Sequence, residues 1–307
     1  MIKVLVCDKI SEKGVKMLSD AGFEVSYTPD ITPEDLLSTI PDYDAVIVRS
    51  RTKITREVIT ASKRVKAVGR AGAGLDNIDL KAAEEAGVKV YNTPDALTNA
   101  VAELVIGLML SLSRGICVGD SGLKKGEWLK SSLLGQELKG KLLGVIGMGR
   151  IGRRVAEIAY TFRMKILYYD IIEIPRDVIE RLNIQFTELD DLLAKSDFIT
   201  LNIPLTPDTK HYIGKERLAK MKKTAYLINA SRGAVIDEKA LLEALRNESL
   251  GGAALDVYEV EPPGRSELVS LPNVICTPHI GAQTVESQEI AATGISEKII
   301  GHFKTGG

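Results

Sequence analysis

Histidine is scarce in this chain, with only His211, His279 and His302 among 307 residues. Cysteine is as rare: Cys7, Cys117 and Cys276 are odd in number and form no CxxC or Cys/His ligand spacing. That excludes a disulfide framework and a zinc site, so no metal is expected and the thiols read as reduced and half-buried in a cytoplasmic protein. Net charge is lacking too: 40 Lys+Arg face 41 Asp+Glu, which leaves no global field for nucleic acid or an anionic membrane. The longest apolar stretch, Val101–Leu112, is interrupted by Glu103 and is too short to cross a bilayer, so a buried helix is expected there. No basic-then-apolar leader is visible, because Ile2–Val6 already reads as a strand. Glutamine occurs only at positions 136, 185, 283 and 288 while charged residues abound, a composition that fits a heat-adapted protein. No internal repeat or low-complexity segment appears.

What is present is alternation. Short β-rich runs and amphipathic stretches follow one another, which predicts α/β layering on parallel sheets. The first strands are expected at Ile2–Val6, Glu24–Tyr27, Ala45–Val48, Lys66–Val68 and Lys89–Tyr91. Helices are expected between them at Ser11–Ala21, Pro33–Ile40, Arg56–Ala61 and Leu80–Ala86, with Thr32 capping the helix that Pro33 opens. A boundary is expected near Thr93-Pro94, with Thr98 capping the apolar helix that follows. A second, six-stranded unit should run from about Lys139 to Pro278. The last helix, Thr284–Phe303, has no strand partner of its own and is expected to return to the first unit. The expected domains are therefore 1–95 with 284–307, and 96–283. Two passages between domains imply a cleft and a hinge.

Five strands end in a chemically demanding loop, and ligands of open parallel sheets bind beyond the carboxyl ends of strands. Leu142–Ile146 runs into Gly147-Met148-Gly149-Arg150-Ile151-Gly152. A helix follows, and about twenty residues beyond Gly152 a second strand ends in the acidic Asp170. Gly147 allows the tight turn, Gly149 the approach of a pyrophosphate and Gly152 close helix–strand packing, while the helix N-terminus supplies unpaired N–H groups. Asp170 suits two ribose hydroxyls and would repel a 2′-phosphate, which favours NAD over NADP. A bare GxGxxG also serves packing alone; here the strand, the helix and the acid accompany it.

The other tips carry the groups that oxidation of a 2-hydroxy acid needs. Arg232 offers a bidentate cation for the substrate carboxylate. His279 offers a general acid/base near neutrality, and Glu261 a carboxylate to orient the imidazole and favour its protonated form. His211 and His302 read instead as surface or capping residues. In the first half, Arg49-Ser50-Arg51-Thr52 and Gly72-Ala73-Gly74 follow strands, and backbone N–H groups of the latter could hold a carboxylate.

At these residues the chain resembles the D-isomer-specific 2-hydroxyacid dehydrogenases, and within them the phosphoglycerate-oxidising branch. The likeness runs through 70–79, 147–152, 227–233, 254–257, 259–262 and 277–281, nearly the whole length. It implies two doubly wound parallel-sheet domains, a Rossmann-type nucleotide domain and a flavodoxin-like substrate domain. It implies Arg232, Glu261 and His279 as catalytic residues and NAD as cofactor. Arg150, Ile151, Asp170, Ala230, Ser231, Arg232, Asp256 and Gly281 would contact NAD, with Asp256 on the nicotinamide carboxamide and Pro204 lining the adenosine side. Arg49 resembles the position that meets a substrate phosphate, with Ser50 and Arg51 as neighbours. The implied reaction is oxidation of 3-phospho-D-glycerate, opening serine synthesis, in a homodimer with the apolar helix or the Trp128 segment as interface. Because the sequence stops at Gly307, serine feedback through a further domain is not expected. Alternatives are another D-2-hydroxy acid in the same family, or a dinucleotide-sensing corepressor-like interaction protein.

Overall fold

The computed structural model describes residues 1–304. The chain divides into two compact units, Met1–Thr98 together with the segment from Ala282 onward, and Asn99–Gly281.

In the first unit, strands β1 (Lys3–Val6), β2 (Glu24–Tyr27), β3 (Ala45–Val48), β4 (Ala67–Arg70) and β5 (Lys89–Asn92) form one sheet in the order β2-β1-β3-β4-β5. All pairs are parallel, the flavodoxin-like winding. Central β3 is buried along its whole length, so both faces need cover. One face is covered by α2 (Pro33–Thr39), α3 (Arg56–Ala61) and α4 (Leu80–Glu85), which bring Leu36, Val58 and Ala82 into a common core with Val46 and Val68. As expected, Thr32 caps α2, accepting the Asp35 N–H. The other face is covered by α1 (Glu12–Asp20) and the last helix of the chain, Val285–Lys304. Gly14 lets that helix close in, since a Cβ there would lie 2.7 Å from the Ala292 carbonyl oxygen, and Ser296 Oγ donates to the Gly14 carbonyl at 2.9 Å.

The second unit opens with α5 (Thr98–Arg114) and α6 (Ile116–Lys124) and builds its sheet from β6 (Leu142–Ile146), β7 (Lys165–Tyr169), β8 (Ile184–Phe186), β9 (Phe198–Leu201), β10 (Tyr226–Asn229), β11 (Gly252–Leu255) and β12 (Val274–Cys276). The order is β12-β11-β10-β9-β6-β7-β8, the Rossmann winding with one added strand. Seven strands stand where six are expected; in the edge strand β8 only Ile184 is buried, which leaves little apolar alternation to read. Helices α7 (Arg150–Thr161), α8 (Arg176–Leu182), α9 (Leu189–Lys195), α10 (Lys215–Leu218) and α11 (Glu238–Arg246) complete the layers before the final helix, α12.

Thr98 does not cap α5. It lies inside a continuous helical run from Pro94, and its hydroxyl is buried without a hydrogen-bond partner. That run, Pro94–Arg114, is long enough to cross a membrane and longer than the stretch read from sequence, and an 18-residue window of it has a mean hydropathy of 1.6. Half of it is buried in the protein, with Ala102, Val105, Leu108 and Met109 in the core of the second unit, as for an interior helix.

Candidate active site

Parallel strands put every carboxyl end at one edge of the sheet. In the second unit the pairing sets Asn229 opposite Leu255, and Leu255 opposite Cys276, so three adjacent tips launch the loops of Arg232, Glu261 and His279. The imidazole Nδ1 of His279 lies 2.7 Å from Glu261 Oε2. Both side chains are partly exposed, so the ring nitrogen not bound to Glu261 can meet a ligand. His279 adopts a left-handed φ of 53°, uncommon for a non-glycine residue and worth a cause. The cause is Asp256, 1 % exposed. Its Oδ1 accepts the Thr277 hydroxyl at 2.6 Å and the Ile280 N–H at 2.8 Å, and its Oδ2 accepts the Gly281 N–H at 2.8 Å. Asp256 is thus first the organiser of the His279 loop, a role the sequence reading did not foresee.

The Arg232 turn has its own organiser in the fully buried Asn229. Its Oδ1 accepts the Ser231 N–H at 3.0 Å and the Ser231 hydroxyl at 2.8 Å, and its amide donates to the Arg232 carbonyl at 2.9 Å. The Arg232 guanidinium, half-buried, donates to the Ser231 carbonyl at 2.7 Å, which leaves Ser231 and Ala230 beside it on the β10 tip. Glu261 is held by the Tyr258 N–H at 3.2 Å. Burial pushes the Tyr258 phenol up, with Cys276 adding to it, so the hydroxyl stays a donor, to the Leu255 and Thr277 carbonyls at 3.1 and 2.9 Å. Asn229, Thr277 and Tyr258 are the site residues sequence reasoning missed; only their places at strand tips could have pointed to them.

The dinucleotide loop meets its stereochemical demands. Gly147 has φ +90°, and a Cβ there would lie 2.6 Å from the Asn202 carbonyl oxygen. A Cβ on Gly152 would lie 2.1 Å from the Gly147 oxygen, whereas the space beside Gly149 is open. Helix α7 starts at Arg150 with no side-chain cap, so its first N–H groups face outward for a phosphate. Asp170 accepts the Met148 N–H at 2.6 Å and the Ile172 N–H at 2.9 Å, which fixes its carboxylate at the β7 tip beside the loop. Arg150 is exposed, Ile151 half-buried and Pro204 exposed beyond β9. This cradle fits a pyrophosphate and ribose, and among the described residues no cluster of His, Cys, Asp and Glu could hold a metal ion.

In the first unit, Asp8 is 2 % exposed and gathers the loop after β3. It accepts the Arg49 N–H at 2.5 Å, the Thr52 N–H at 3.2 Å and the Thr52 hydroxyl at 2.7 Å. The Arg51 Nε lies 3.1 Å from it, and the Arg51 guanidinium also donates to the Cys7, Pro29 and Ile31 carbonyls. Arg51 is therefore a structural tie. The Arg49 guanidinium donates to the Lys9 carbonyl at 3.1 Å; burial pulls its pKa down against the opposing Asp8 charge. Ser50 is exposed. Of the glycine segment, the Gly72 N–H donates to Thr93 Oγ1 at 2.8 Å, which narrows the expected carboxylate donors to Ala73 and Gly74. His302 is not a plain surface residue: its ring meets the Tyr91 hydroxyl at 3.1 Å and packs edge-on against Phe303.

Comparison with known proteins identifies the family of the chain. Residues 106–281 match the family described as D-isomer specific 2-hydroxyacid dehydrogenase, NAD binding domain. A D-3-phosphoglycerate dehydrogenase of Methanocaldococcus jannaschii is 48% identical over 97% of this chain and 57% of its own length. A hydroxypyruvate reductase of Thermotoga maritima is 44% identical over 97% of both chains. The crystal structure of TT0316 from Thermus thermophilus, 35% identical, superposes with a TM-score of 0.92 over 99% of this chain and 97% of that one. The chain belongs to the D-isomer-specific 2-hydroxyacid dehydrogenase family, and its second unit is the NAD-binding part. It spans little more than half the length of the phosphoglycerate dehydrogenase it matches.

Proposed function

We propose that this protein oxidises a phosphorylated D-2-hydroxy acid, 3-phospho-D-glycerate, to 3-phosphohydroxypyruvate, the first step of serine synthesis in the cytoplasm. The observation that carries it is the 2.7 Å contact between His279 Nδ1 and Glu261 Oε2, beside the Arg232 turn on the neighbouring strand tip. Arg232 anchors the substrate carboxylate. His279, with Nδ1 turned to Glu261, takes the hydroxyl proton at Nε2, and Glu261 stabilises the imidazolium; positioned proton transfer of this kind contributes on the order of 3–6 kcal/mol. NAD, when bound, supplies the two-electron acceptor. Gly147, Gly149, Arg150, Ile151 and Gly152 hold its pyrophosphate, Asp170 its ribose and Pro204 its adenosine side. Ala230, Ser231, Asp256 and Gly281 border the nicotinamide end.

For the substrate phosphate we favour Arg49 with Ser50, because Arg51 is occupied by Asp8 and three carbonyls. Ala73 and Gly74 add backbone donors for the carboxylate. A second reading, reduction of unphosphorylated hydroxypyruvate, is favoured by the full-length match to the Thermotoga enzyme of that name. A panel of phosphorylated and unphosphorylated 2-hydroxy and 2-keto acids with NAD and NADP, followed by NADH absorbance, decides between them. Arg49→Ala should lower kcat/KM for the phosphorylated acid about tenfold or more, sparing the unphosphorylated one; equal losses would remove the phosphate role. Asp170→Ala should narrow the preference for NAD over NADP, and an unchanged ratio would mean the ribose lies elsewhere.

A homodimer is also proposed. With the face of α5 that carries Ala102, Val105 and Met109 committed to the core, the interface moves to α6 and its sequel, where Ile116, Leu123, Trp128 and Leu134 are 53, 61, 77 and 96% exposed.

A further inference from the structure

Gly233, next to Arg232, lies flat against the loop that carries Glu261. A Cβ on it would stand 1.9 Å from the Tyr258 carbonyl carbon and 2.5 Å from the Glu259 nitrogen, so the two catalytic loops share a backbone contact with no room for a side chain. Three side chains outside the reacting trio surround that contact. Glu259 Oε1 accepts the Glu238 N–H at 3.0 Å, and the Glu259 N–H donates to Glu238 Oε1 at 2.7 Å. His211 Nε2 lies 3.2 Å from Glu259 Oε1. The His211 N–H donates to the Ala234 carbonyl at 2.7 Å, two residues beyond Arg232, from a left-handed backbone of φ 51°.

Helix capping alone does not explain this arrangement. Asp237 already caps α11 through the Lys239 and Ala240 N–H groups. The reciprocal Glu238–Glu259 pair instead ties the start of α11 to the far loop. Only Val260, 72% exposed, separates Glu259 from Glu261, which folds back onto the Tyr258 N–H. If Glu259 came loose, Glu261 would be free to drift from His279 while the helix and sheet stayed formed. Burial pushes the Glu238 carboxyl up; the Glu259 N–H opposes this and the facing Glu259 carboxylate adds to it.

We propose that Glu238, Glu259 and His211 form a clasp of positioning residues that sets the spacing between the Arg232 turn and the Glu261 loop, and through Glu261 the aim of His279. This rests on Arg232, Glu261 and His279 being the reacting trio.

The test compares Glu259→Ala, Glu259→Gln and His279→Ala, each with kcat and KM on the best acid of the panel, NADH affinity by fluorescence and thermal melting. Misplacing a catalytic group by a fraction of an ångström predicts a kcat about tenfold lower in Glu259→Ala, with NADH affinity within about twofold. Glutamine keeps the acceptor oxygen, so Glu259→Gln should recover most of that loss. Unchanged kcat in Glu259→Ala overturns the proposal. So does a parallel fall of kcat, NADH affinity and melting temperature, or a glutamine variant as poor as the alanine one. If Glu259→Ala fails to fold, Glu238→Ala removes the reciprocal acceptor and is read the same way. Normal turnover in His279→Ala would refute the trio itself; a collapse there with kcat intact in Glu259→Ala refutes the clasp alone.

Discussion

Each unit hangs a strand-tip loop on one buried aspartate, Asp8 in the first and Asp256 in the second, 2 and 1% exposed. Both collect donors from the residues just beyond a strand. Their partners differ in kind. Asp8 faces a cation, the Arg51 Nε at 3.1 Å, besides its backbone and hydroxyl donors. Asp256 faces neutral dipoles: the Thr277 hydroxyl and the Ile280 and Gly281 N–H groups. A cation-paired carboxylate anchors its loop through charge, and breaking such a pair leaves the partner uncompensated. A dipole-paired one anchors through direction, because every donor must point at a particular oxygen. The first suits a loop that presents a guanidinium; the second suits one that must hold an imidazole in a left-handed turn.

Asparagine is nearly isosteric with aspartate, and substituting it at each site separates the two modes. The larger effect on catalysis is expected at Asp256. An amide offers one acceptor oxygen and sets its NH2 against an N–H donor, so Asp256→Asn should lower kcat about 10²-fold by displacing His279. Steady-state turnover alongside NADH binding checks this; kcat within twofold of wild type would mean that the loop holds its shape without Asp256. At Asp8 the expected effect falls on stability and recognition. Asp8→Asn should destabilise the protein by about 1–3 kcal/mol and raise KM for the phosphorylated acid several-fold. Denaturant unfolding and the substrate panel measure both, and an equal KM rise for unphosphorylated acids would detach this loop from the phosphate.

A third acid sharpens the contrast with a smaller effect. Asp197 accepts the Leu142 N–H at 2.9 Å and pairs with Lys222 at 2.9 Å. Burial pushes its carboxyl up, but the Leu142 N–H and the Lys222 ammonium together hold it below its usual value. A lowered folded-state pKa adds stability that is present above the unfolded value and lost as pH falls through the folded one. The melting-temperature gap between wild type and Asp197→Asn should therefore be widest at neutral pH and close on acidification below the usual carboxylate range. A gap that stays constant across pH would show that hydrogen-bond geometry, rather than charge, is what Asp197 contributes.

The two windings came from the family resemblance, while the α/β layering, the glycine loop with Asp170, and the candidates His279 and Glu261 were legible in the sequence as short-range patterns at strand tips. Hydrogen bonds made by tertiary approach were not. Nothing near Asp256 or Glu238 in sequence announces which distant N–H each will meet. Thr98 reads as a cap because a threonine before an apolar run usually is one, yet the preceding turn from Pro94 is already helical. His302 reads as a surface residue because its partner Tyr91 meets it only when α12 lies on the first sheet. Gly72 reads as a free donor, but Thr93 takes its N–H from twenty-one residues away.

The docking of α12 on the first unit has a consequence for biogenesis. Val4, Val6, Ala45, Ile47 and Ala67 share one apolar layer with Ala292, Ile295 and Ile299, yet those three residues leave the ribosome after the whole nucleotide-binding unit. The contiguous second unit can finish folding first, reversing the usual N-to-C order of domain maturation. Until then the opening strands wait with one greasy side bare, the interval in which a newly made chain most needs a chaperone.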